Sequence, residues 1–356
     1  MDCIQITASK TYQVLTGQGL LSQAGEQIRT ALSEKARKLC IVTDYTVDRL
    51  YSAALSDSLL AAGYETVKFT FPPGEASKNM DTISRLLEFL AEHQLTRSDA
   101  LIALGGGITG DLAGFAAAIY LRGIDFVQVP TTLLAAVDSS VGGKTGVNLK
   151  SGKNLAGAFW QPSLVLFDID TMRTLSYDLL LDGAAEAIKA GAIADKALFT
   201  YIEKAPRLDE PETIRHLSRR AIEIKRQVVE ADERDTGVRQ LLNFGHTVGH
   251  SIEKCSNFSI SHGHAVAIGM VICARASLAL GWSQEDCLTP ILSSLEKFSF
   301  PLECPYSAQE LTAAALKDKK RMGNSITLVI PAALGNCQLK TIPISQLEEF
   351  IKAGLS

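Results

Sequence analysis

The chain has no Cys-x-x-Cys pair, although it carries 7 cysteines, Cys3, Cys40, Cys255, Cys273, Cys287, Cys304 and Cys337. An odd and scattered set argues against a disulfide framework and predicts free thiols in a reducing compartment. The opening Met-Asp-Cys-Ile-Gln-Ile lacks a basic segment followed by an apolar run, so no signal peptide is expected and a cytoplasmic location follows. Glycine, polar or charged residues interrupt the apolar stretches too often to predict a membrane span. A dominant charge is missing as well: 35 Lys and Arg stand against 39 Asp and Glu, a formal net charge of −4. That offers no general attraction to nucleic acid or to an anionic membrane, and neither is expected as a partner. An anionic small molecule would have to be met by locally grouped lysines and arginines. Repeats and low-complexity segments are absent too. What is present is 356 residues, 46% hydrophobic and 21% charged, enough for two domains with substantial cores.

Histidine is scarce but concentrated, since four of the 6 in the chain are His246, His250, His262 and His264. Neutral imidazoles crowded into one region are what a catalytic divalent metal selects. His246 and His250 are spaced i,i+4, so on a helix both rings leave one face and one ion can see both. The competing reading is a set of satisfied structural histidines. Thr247 follows His246 where the zinc-protease helix needs glutamate, so hydrolysis of that type is not expected.

The first half alternates β-rich runs with helical patterns. Lys38–Thr43, Asp99–Leu104, Ile124–Val129 and Ser163–Phe167 read as buried parallel strands, and Lys78–Leu95 reads as an amphipathic helix on Ile83, Leu86, Leu87 and Leu90. That alternation predicts a doubly wound, Rossmann-like α/β domain. Farther on, 182–205, 211–231 and 263–280 read as helices, and strand signals nearly vanish until Ile326–Ile330. The expected domains are therefore 1–177, α/β, and 178–356, mostly helical.

Gly105-Gly106-Gly107-Ile108-Thr109-Gly110-Asp111 joins a strand to a helix with the spacing Gly-x-Gly-x-x-Gly. Backbone amides at that helix start can receive a pyrophosphate, although a tight turn explains the glycines nearly as well. Asp44, ending an earlier strand, can bind the adenine ribose. Gly143-Lys144-Thr145 tempts towards a nucleotide-triphosphate loop, but that motif's first glycine would fall on Asp138, so the reading is rejected. Lys144 and Lys153-Asn154, read on glycine-rich loops near Asp138, suggest an anion site. Glu186 and Lys189 are i,i+3 neighbours on an otherwise apolar helix. They can be a simple ion pair, or a metal ligand beside a proton-handling lysine.

Taken together and in order along almost the whole chain, these segments resemble the 3-dehydroquinate synthases of the shikimate pathway. The carriers are the Gly105–Phe115 segment, Leu121-Arg122-Gly123, Pro130–Ala135 running into Asp138 and Gly142-Gly143-Lys144, Gly152-Lys153-Asn154, Glu186-x-x-Lys189, Arg239–His250, His262–Val266 and Asp318-Lys319-Lys320. The resemblance implies zinc, with cobalt as the alternative ion, on Glu186, His246 and His262. It implies NAD on Asp44, on Pro73, Gly74, Glu75, Ala76, Ser77 and Lys78, and on Gly106, Gly107, Ile108, Thr109, Gly110 and Asp111. Thr131, Thr132, Lys144, Lys153, Thr171, Met172, Arg173 and Thr174 complete that set. The implied substrate, 3-deoxy-D-arabino-heptulosonate 7-phosphate, would meet Arg122, Lys144, Asn154, Lys189, Lys225, Arg239, Asn243, His250 and Lys320. Asp138, Lys144, Lys189, Asp235 and His250 are the implied catalytic residues, and Arg122 would reach a neighbouring subunit of a homodimer.

The activity implied is formation of 3-dehydroquinate and phosphate by transient oxidation with NAD, phosphate elimination, re-reduction, ring opening and intramolecular aldol closure. Oxidation acidifies the neighbouring C–H, which eases loss of phosphate. Lysine and arginine suit a substrate bearing carboxylate and phosphate. Three positions depart from the pattern: Asp235 and His264 stand where glutamate is usual, and Thr46 where an amide-bearing residue is common. The alternatives are another sugar-phosphate cyclase, a metal-dependent polyol or alcohol dehydrogenase of the same architecture, and a zinc-stabilised binding protein.

Overall fold

The computed structural model describes residues 1–317 and 323–356. The chain forms two compact units, one of Met1–Leu175 with Lys225–Arg234, the other of Ser176–Ile224 with Asp235–Ser356. A single division at 177/178 therefore does not describe it. Acidic side chains tie the returning segment into the first unit: Glu230 Oε1 accepts the Thr7 amide at 2.8 Å, and Glu233 accepts the Ser9 amide at 2.9 Å and Gln161 Nε2 at 2.9 Å.

The first unit runs β1 (Asp2–Thr7), β2 (Thr11–Gly17), α1 (Ala24–Ala31), β3 (Lys38–Asp44), the short α2 (Tyr45–Val47), α3 (Ala53–Ala61), β4 (Glu65–Phe71), α4 (Met80–Glu92), β5 (Ala100–Gly105), α5 (Gly107–Ile119), β6 (Asp125–Pro130), β7 (Lys144–Leu149), β8 (Gly152–Phe159) and β9 (Leu164–Asp168). Seven strands form one sheet in the order β1-β2-β9-β6-β5-β3-β4, parallel except for the β1–β2 hairpin. Every residue of β5 and β9 is buried, as expected where helices cover both faces. Alternate residues feed opposite cores: Leu39 and Ile41 pack with α1 and α3, while Cys40 and Val42 pack with α4 and α5. The helix α4 starts at Met80 rather than at Lys78 because Asn79 Oδ1 accepts the Thr82 amide at 2.9 Å, a side-chain cap. From β3 the chain moves outward to β4 and returns to β5 on the other side, so strand order reverses between β3 and β5. Ligands of open α/β sheets bind at the carboxyl ends of strands at such a point. Those ends carry Asp44 and Gly105.

Asp99 enters β5 and ties down the start of β3. It accepts the Arg37 amide (3.1 Å), the Lys38 amide (2.9 Å), the Thr96 amide (2.8 Å) and the Thr96 hydroxyl (2.7 Å). Burial pushes its pKa up, but these donors outweigh burial and hold it below the usual 3.8. A depressed carboxyl stabilises the fold above its unfolded pKa, and the stabilisation is lost as pH falls through the folded value. Asp99→Ala leaves three amides without this acceptor, so a loss of about 2–4 kcal/mol is expected. Urea titrations across pH should show the variant losing less stability than the parent on acidification. Parallel pH curves would refute the assignment.

The second unit contains α6 (Tyr177–Ala194), α7 (Lys196–Lys204), α8 (Pro211–Ala231), α9 (His246–Cys255), α10 (His262–Ala279), α11 (Leu288–Lys297), α12 (Ala308–Lys317), β10 (Ser325–Ala333), β11 (Asn336–Pro343) and α13 (Leu347–Leu355). The last residues of α8 group with the first unit. The helix expected over 182–205 is two, because Asp195 ends α6 and caps α7, its Oδ1 accepting the Ala197 and Leu198 amides at 3.0 Å. Among the described residues α10 alone is long and apolar enough to cross a membrane, which the sequence reading did not anticipate. With 72% of that stretch buried, it is packed as a core helix.

Two helices approach α10 closely. Gly245, left-handed at φ 77, precedes α9, and a Cβ on Gly269 of α10 would lie 2.1 Å from the Gly245 carbonyl oxygen. A Cβ on Gly263 would lie 2.3 Å from the backbone Cα of Asp182 in α6. Only hydrogen fits at these crossings, and they bring the starts of α9 and α10 beside the middle of α6.

Candidate active site

In the second unit, Glu186 from α6, His246 from the first turn of α9 and His262 from the first turn of α10 present ligand atoms within 4.8 Å of one another. Glu186 Oε1 lies 3.5 Å from His246 Nε2 and 3.5 Å from His262 Nε2. Both nitrogens are free to face the carboxylate because each ring is held by its other nitrogen. His246 Nδ1 is 3.1 Å from the Phe244 carbonyl, and His262 Nδ1 is 3.3 Å from Glu253 Oε2. With Nδ1–H donating, Nε2 keeps its lone pair, the usual arrangement of a metal-bound histidine. The fit is tested by Glu186 Oε1, which is buried and has no hydrogen-bond partner. A divalent ion among the three residues satisfies that orphaned oxygen, and the donor set of two imidazoles and one carboxylate suits zinc or cobalt.

Lys189 ion-pairs with Glu186, and both side chains are 3% exposed. Burial raises the Glu186 pKa, but Lys189, His246 and His262 outweigh it and hold the carboxylate well below its usual range. Burial, then the Lys189 charge, hold His246 well below ordinary imidazole, so it is neutral. Burial disfavours the His262 cation as well, but Glu186 and Glu253 prevail and push its pKa up to about 10. Without metal, a proton on His262 balances the acids, and an entering ion must displace it.

His250, one turn beyond His246 and 53% exposed, belongs to a second potential set, His250, Glu253 and His262. The expected i,i+4 pair is thus on one helix, with ring centroids 5.2 Å apart, yet only His246 faces Glu186. His264 joins neither set. Its Nε2 is buried without a hydrogen-bond partner, and its ring meets Phe300 edge-on at 5.9 Å. Asp235, with left-handed backbone at φ 60, also lies outside both sets. Arg239 is buried and Asn243 exposed on the turn before α9, and Lys320 lies outside the described residues.

In the first unit Asp44 Oδ1 accepts the Thr46 amide at 2.8 Å and the Val47 amide at 3.1 Å, fixing the carboxylate at the end of β3. In the neighbouring turn Gly106 caps α5 without a side chain, which leaves the first-turn amides of Gly107, Ile108 and Thr109 open to an anion. Gly110 packs where a Cβ would lie 2.4 Å from Gln128 Oε1. Lys78 Nζ is 2.6 Å from Asp111 Oδ2 and 2.6 Å from Asn154 Oδ1. Burial raises the Asp111 pKa against the pull of Lys78.

Glu75, following Gly74 at φ 102, accepts Asn148 Nδ2 at 2.7 Å and stands 3.9 Å from Lys153 Nζ. Lys144, Lys153 and Asn154 are on strands, not on loops, because 144–159 folds as the β7–β8 hairpin. Thr131 continues from β6, its amide bonded to the Gly105 carbonyl at 3.0 Å, and the Thr132 hydroxyl accepts the Ala135 amide at 3.2 Å. Thr171, Met172, Arg173 and Thr174 form the turn after β9, and the Tyr51 hydroxyl reaches both the Thr171 carbonyl (3.0 Å) and Thr174 Oγ1 (2.5 Å). Lys225 Nζ lies 2.5 Å from Asp138 Oδ1. Arg122, exposed at φ 68, stands on the turn after α5.

Residues 68–181 match the family model described as 3-dehydroquinate synthase N-terminal, and 183–321 match 3-dehydroquinate synthase C-terminal. A 3-dehydroquinate synthase from Streptococcus suis is 44% identical over 345 residues, 96% of this chain and 97% of that one. This chain belongs to the 3-dehydroquinate synthase family. Among solved structures, a 2-epi-5-epi-valiolone synthase from Streptomyces hygroscopicus with NAD+ and Zn2+ bound superposes with a TM-score of 0.88 at 26% identity, covering 99% of this chain and 98% of that one. A 2-deoxy-scyllo-inosose synthase complexed with carbaglucose-6-phosphate, NAD+ and Co2+ superposes with a TM-score of 0.89 at 24% identity, covering 99% and 100%, and shares the fold.

Two residues beside these sites escape the sequence reading. Glu253 is three residues after His250 and seven after His246, a helical repeat that puts a carboxylate on the histidine face, so a signal was present. Tyr51 carries none, because only folding brings it to the turn after β9.

Proposed function

We propose that this member of the 3-dehydroquinate synthase family converts 3-deoxy-D-arabino-heptulosonate 7-phosphate to 3-dehydroquinate and phosphate, using NAD and a divalent ion. The observation that carries the reading is the buried Glu186 oxygen, without a partner, facing two imidazole nitrogens in a chain 44% identical to a curated synthase. Bound NAD would take up and return a hydride while zinc or cobalt polarises the alcohol oxygen being oxidised.

The chain's own groups have the following parts. Glu186, His246 and His262 hold the ion. Asp44 receives the adenine ribose, and the open amides of Gly107, Ile108 and Thr109 take the pyrophosphate. Pro73, Gly74, Glu75, Ala76, Ser77, Lys78, Gly106, Gly110, Asp111, Thr131, Thr132, Lys144, Lys153, Thr171, Met172, Arg173 and Thr174 supply the rest of the nucleotide cradle. Lys144, Asn154, Lys189, Lys225, Arg239, Asn243, His250 and Lys320 bind the substrate's carboxylate, phosphate and hydroxyls. Asp138, Lys144, Lys189, Asp235 and His250 handle protons. Lys189, buried against Glu186, would hold its ammonium towards the substrate, and Asp138 would be held by Lys225. Arg122 would serve a neighbouring subunit of a homodimer, and the seven free cysteines suit a reducing cytoplasm.

Because the hydride is returned, phosphate release should require both NAD and metal while absorbance at the nicotinamide band returns to its starting value. No phosphate release with both present would sink the reading. Persistent NADH accumulation would point to a dehydrogenase instead.

A further inference from the structure

We infer that Glu253 is a positioning residue of the metal centre, aiming His262 at the ion through its outer nitrogen. This rests on the proposed ligand set of Glu186, His246 and His262. Glu253 Oε2 stands 3.3 Å from His262 Nδ1, and its side chain is 8% exposed, while His262 Nε2 faces Glu186 Oε1 at 3.5 Å. The carboxylate accepts the Nδ1 proton, which fixes the tautomer with Nε2 bare, settles the rotation of the ring, and strengthens Nε2 as a donor. The other ligands are held differently: His246 leans on the Phe244 carbonyl, and Glu186 on Lys189. Of the two imidazoles, His262 is thus the one turned by a charged group. It is also the more exposed of the two imidazoles, 27% against 11%, and the one whose ring most needs holding.

The same carboxylate oxygen is 4.0 Å from His250 Nε2, so Glu253 also touches the residue proposed to face substrate. A second ion held by His250, Glu253 and His262 is the competing account. It would require His262 to give up its Nδ1 proton and bridge two cations, and its third ligand would be the exposed His250. A hydrogen-bonded carboxylate explains the same distances with no such cost.

Charge and position separate in two variants. Glu253→Gln keeps shape and an acceptor oxygen but removes the charge, whereas Glu253→Ala removes both. Zinc affinity of the full chain, measured by competition with a chromophoric chelator, should weaken about 10-fold in the first and up to about 100-fold in the second. The visible spectrum of the cobalt-loaded protein should also shift, because the ring that carries the ligand nitrogen is no longer held. A purely structural residue would lower the melting temperature and leave both metal readouts alone.

Zinc affinities in both variants within about twofold of the parent would overturn the inference. So would a parent that binds two zinc ions and a variant that loses only the weaker one. Glu186→Gln runs beside them. If that variant too binds zinc as the parent does, the ligand set itself is wrong, and if it alone fails, only the role of Glu253 is.

Discussion

Replacing His246 by alanine should empty the metal site and silence the enzyme while the first unit stays folded. His246 is buried at the start of α9, its Nδ1 against the Phe244 carbonyl and its Nε2 3.5 Å from Glu186. Structural zinc sites bind with about 10–16 kcal/mol, so each ligand carries roughly 3 kcal/mol or more and affinity should fall at least about 100-fold. Loss of an ion that polarises the reacting oxygen costs several kcal/mol in the transition state, so turnover should drop about 1,000-fold or more. The cavity left by the ring should lower stability by about 1–3 kcal/mol, too little to unfold a chain of this size. His250→Ala is the matched control, because it removes an exposed imidazole from the same helix. Its zinc content should match the parent's while its activity falls. If His250→Ala emptied the site and His246→Ala did not, the ion would belong to the second set, with Glu253 and His262.

Gly263→Ala should be a severely damaging single methyl group in the second unit. Its Cβ would stand 2.3 Å from the Cα and 2.4 Å from the carbonyl oxygen of Asp182, so backbone rather than a movable side chain must give way. Asp182 also fastens the start of α10, since its Oδ1 accepts the Gly263 amide at 2.9 Å and the Ser261 hydroxyl at 2.6 Å. Forcing α10 off α6 breaks these bonds and costs about 3 kcal/mol or more, by overpacking and by the lost acceptor together. It also draws His262 from Glu186, which sits one helical turn beyond Asp182. The expected result is a lower melting temperature together with weakened zinc binding. A Gly263→Ala protein with the parent's melting temperature would show that the approach of the two helices is looser than described.

The legible parts were those in which one residue pattern has one physical solution. The core runs of β3, β5, β6 and β9 read as buried strands, and α8 falls over 211–231 as expected, because their periodicity is strong. Strand β1 escapes a reading for buried runs since half of its residues face solvent, and β4 since only two of its seven are buried, whereas β2 is buried at five of seven and shows no clean alternation. The segment that folds as the β7–β8 hairpin reads as loops because its glycines, which admit close pairing of two backbones, look like flexibility in one dimension. A Cβ on Gly157 would lie 2.2 Å from the Thr145 carbonyl oxygen. At the site, density drew attention to the histidines but could not rank them. Spacing along α9 favours His246 with His250, whereas the partner that matters, His262, comes from another helix, and Glu186 from a third. Nothing in one dimension encodes that α6, α9 and α10 cross at glycines. The resemblance to a family supplied the grouping that periodicity could not.

The return of Lys225–Arg234 to the first unit has an evolutionary and practical corollary. Thr7 at the amino end is hydrogen-bonded to Glu230, and Ser9 and Gln161 to Glu233, both carboxylates lying on that returning segment well beyond Leu175. A fragment cut at 175 would deprive them of those acceptors. The halves of such a gene are therefore not interchangeable cassettes: a chimera that exchanges nucleotide-binding parts between relatives must carry the end of α8 with it, as a discontinuous graft.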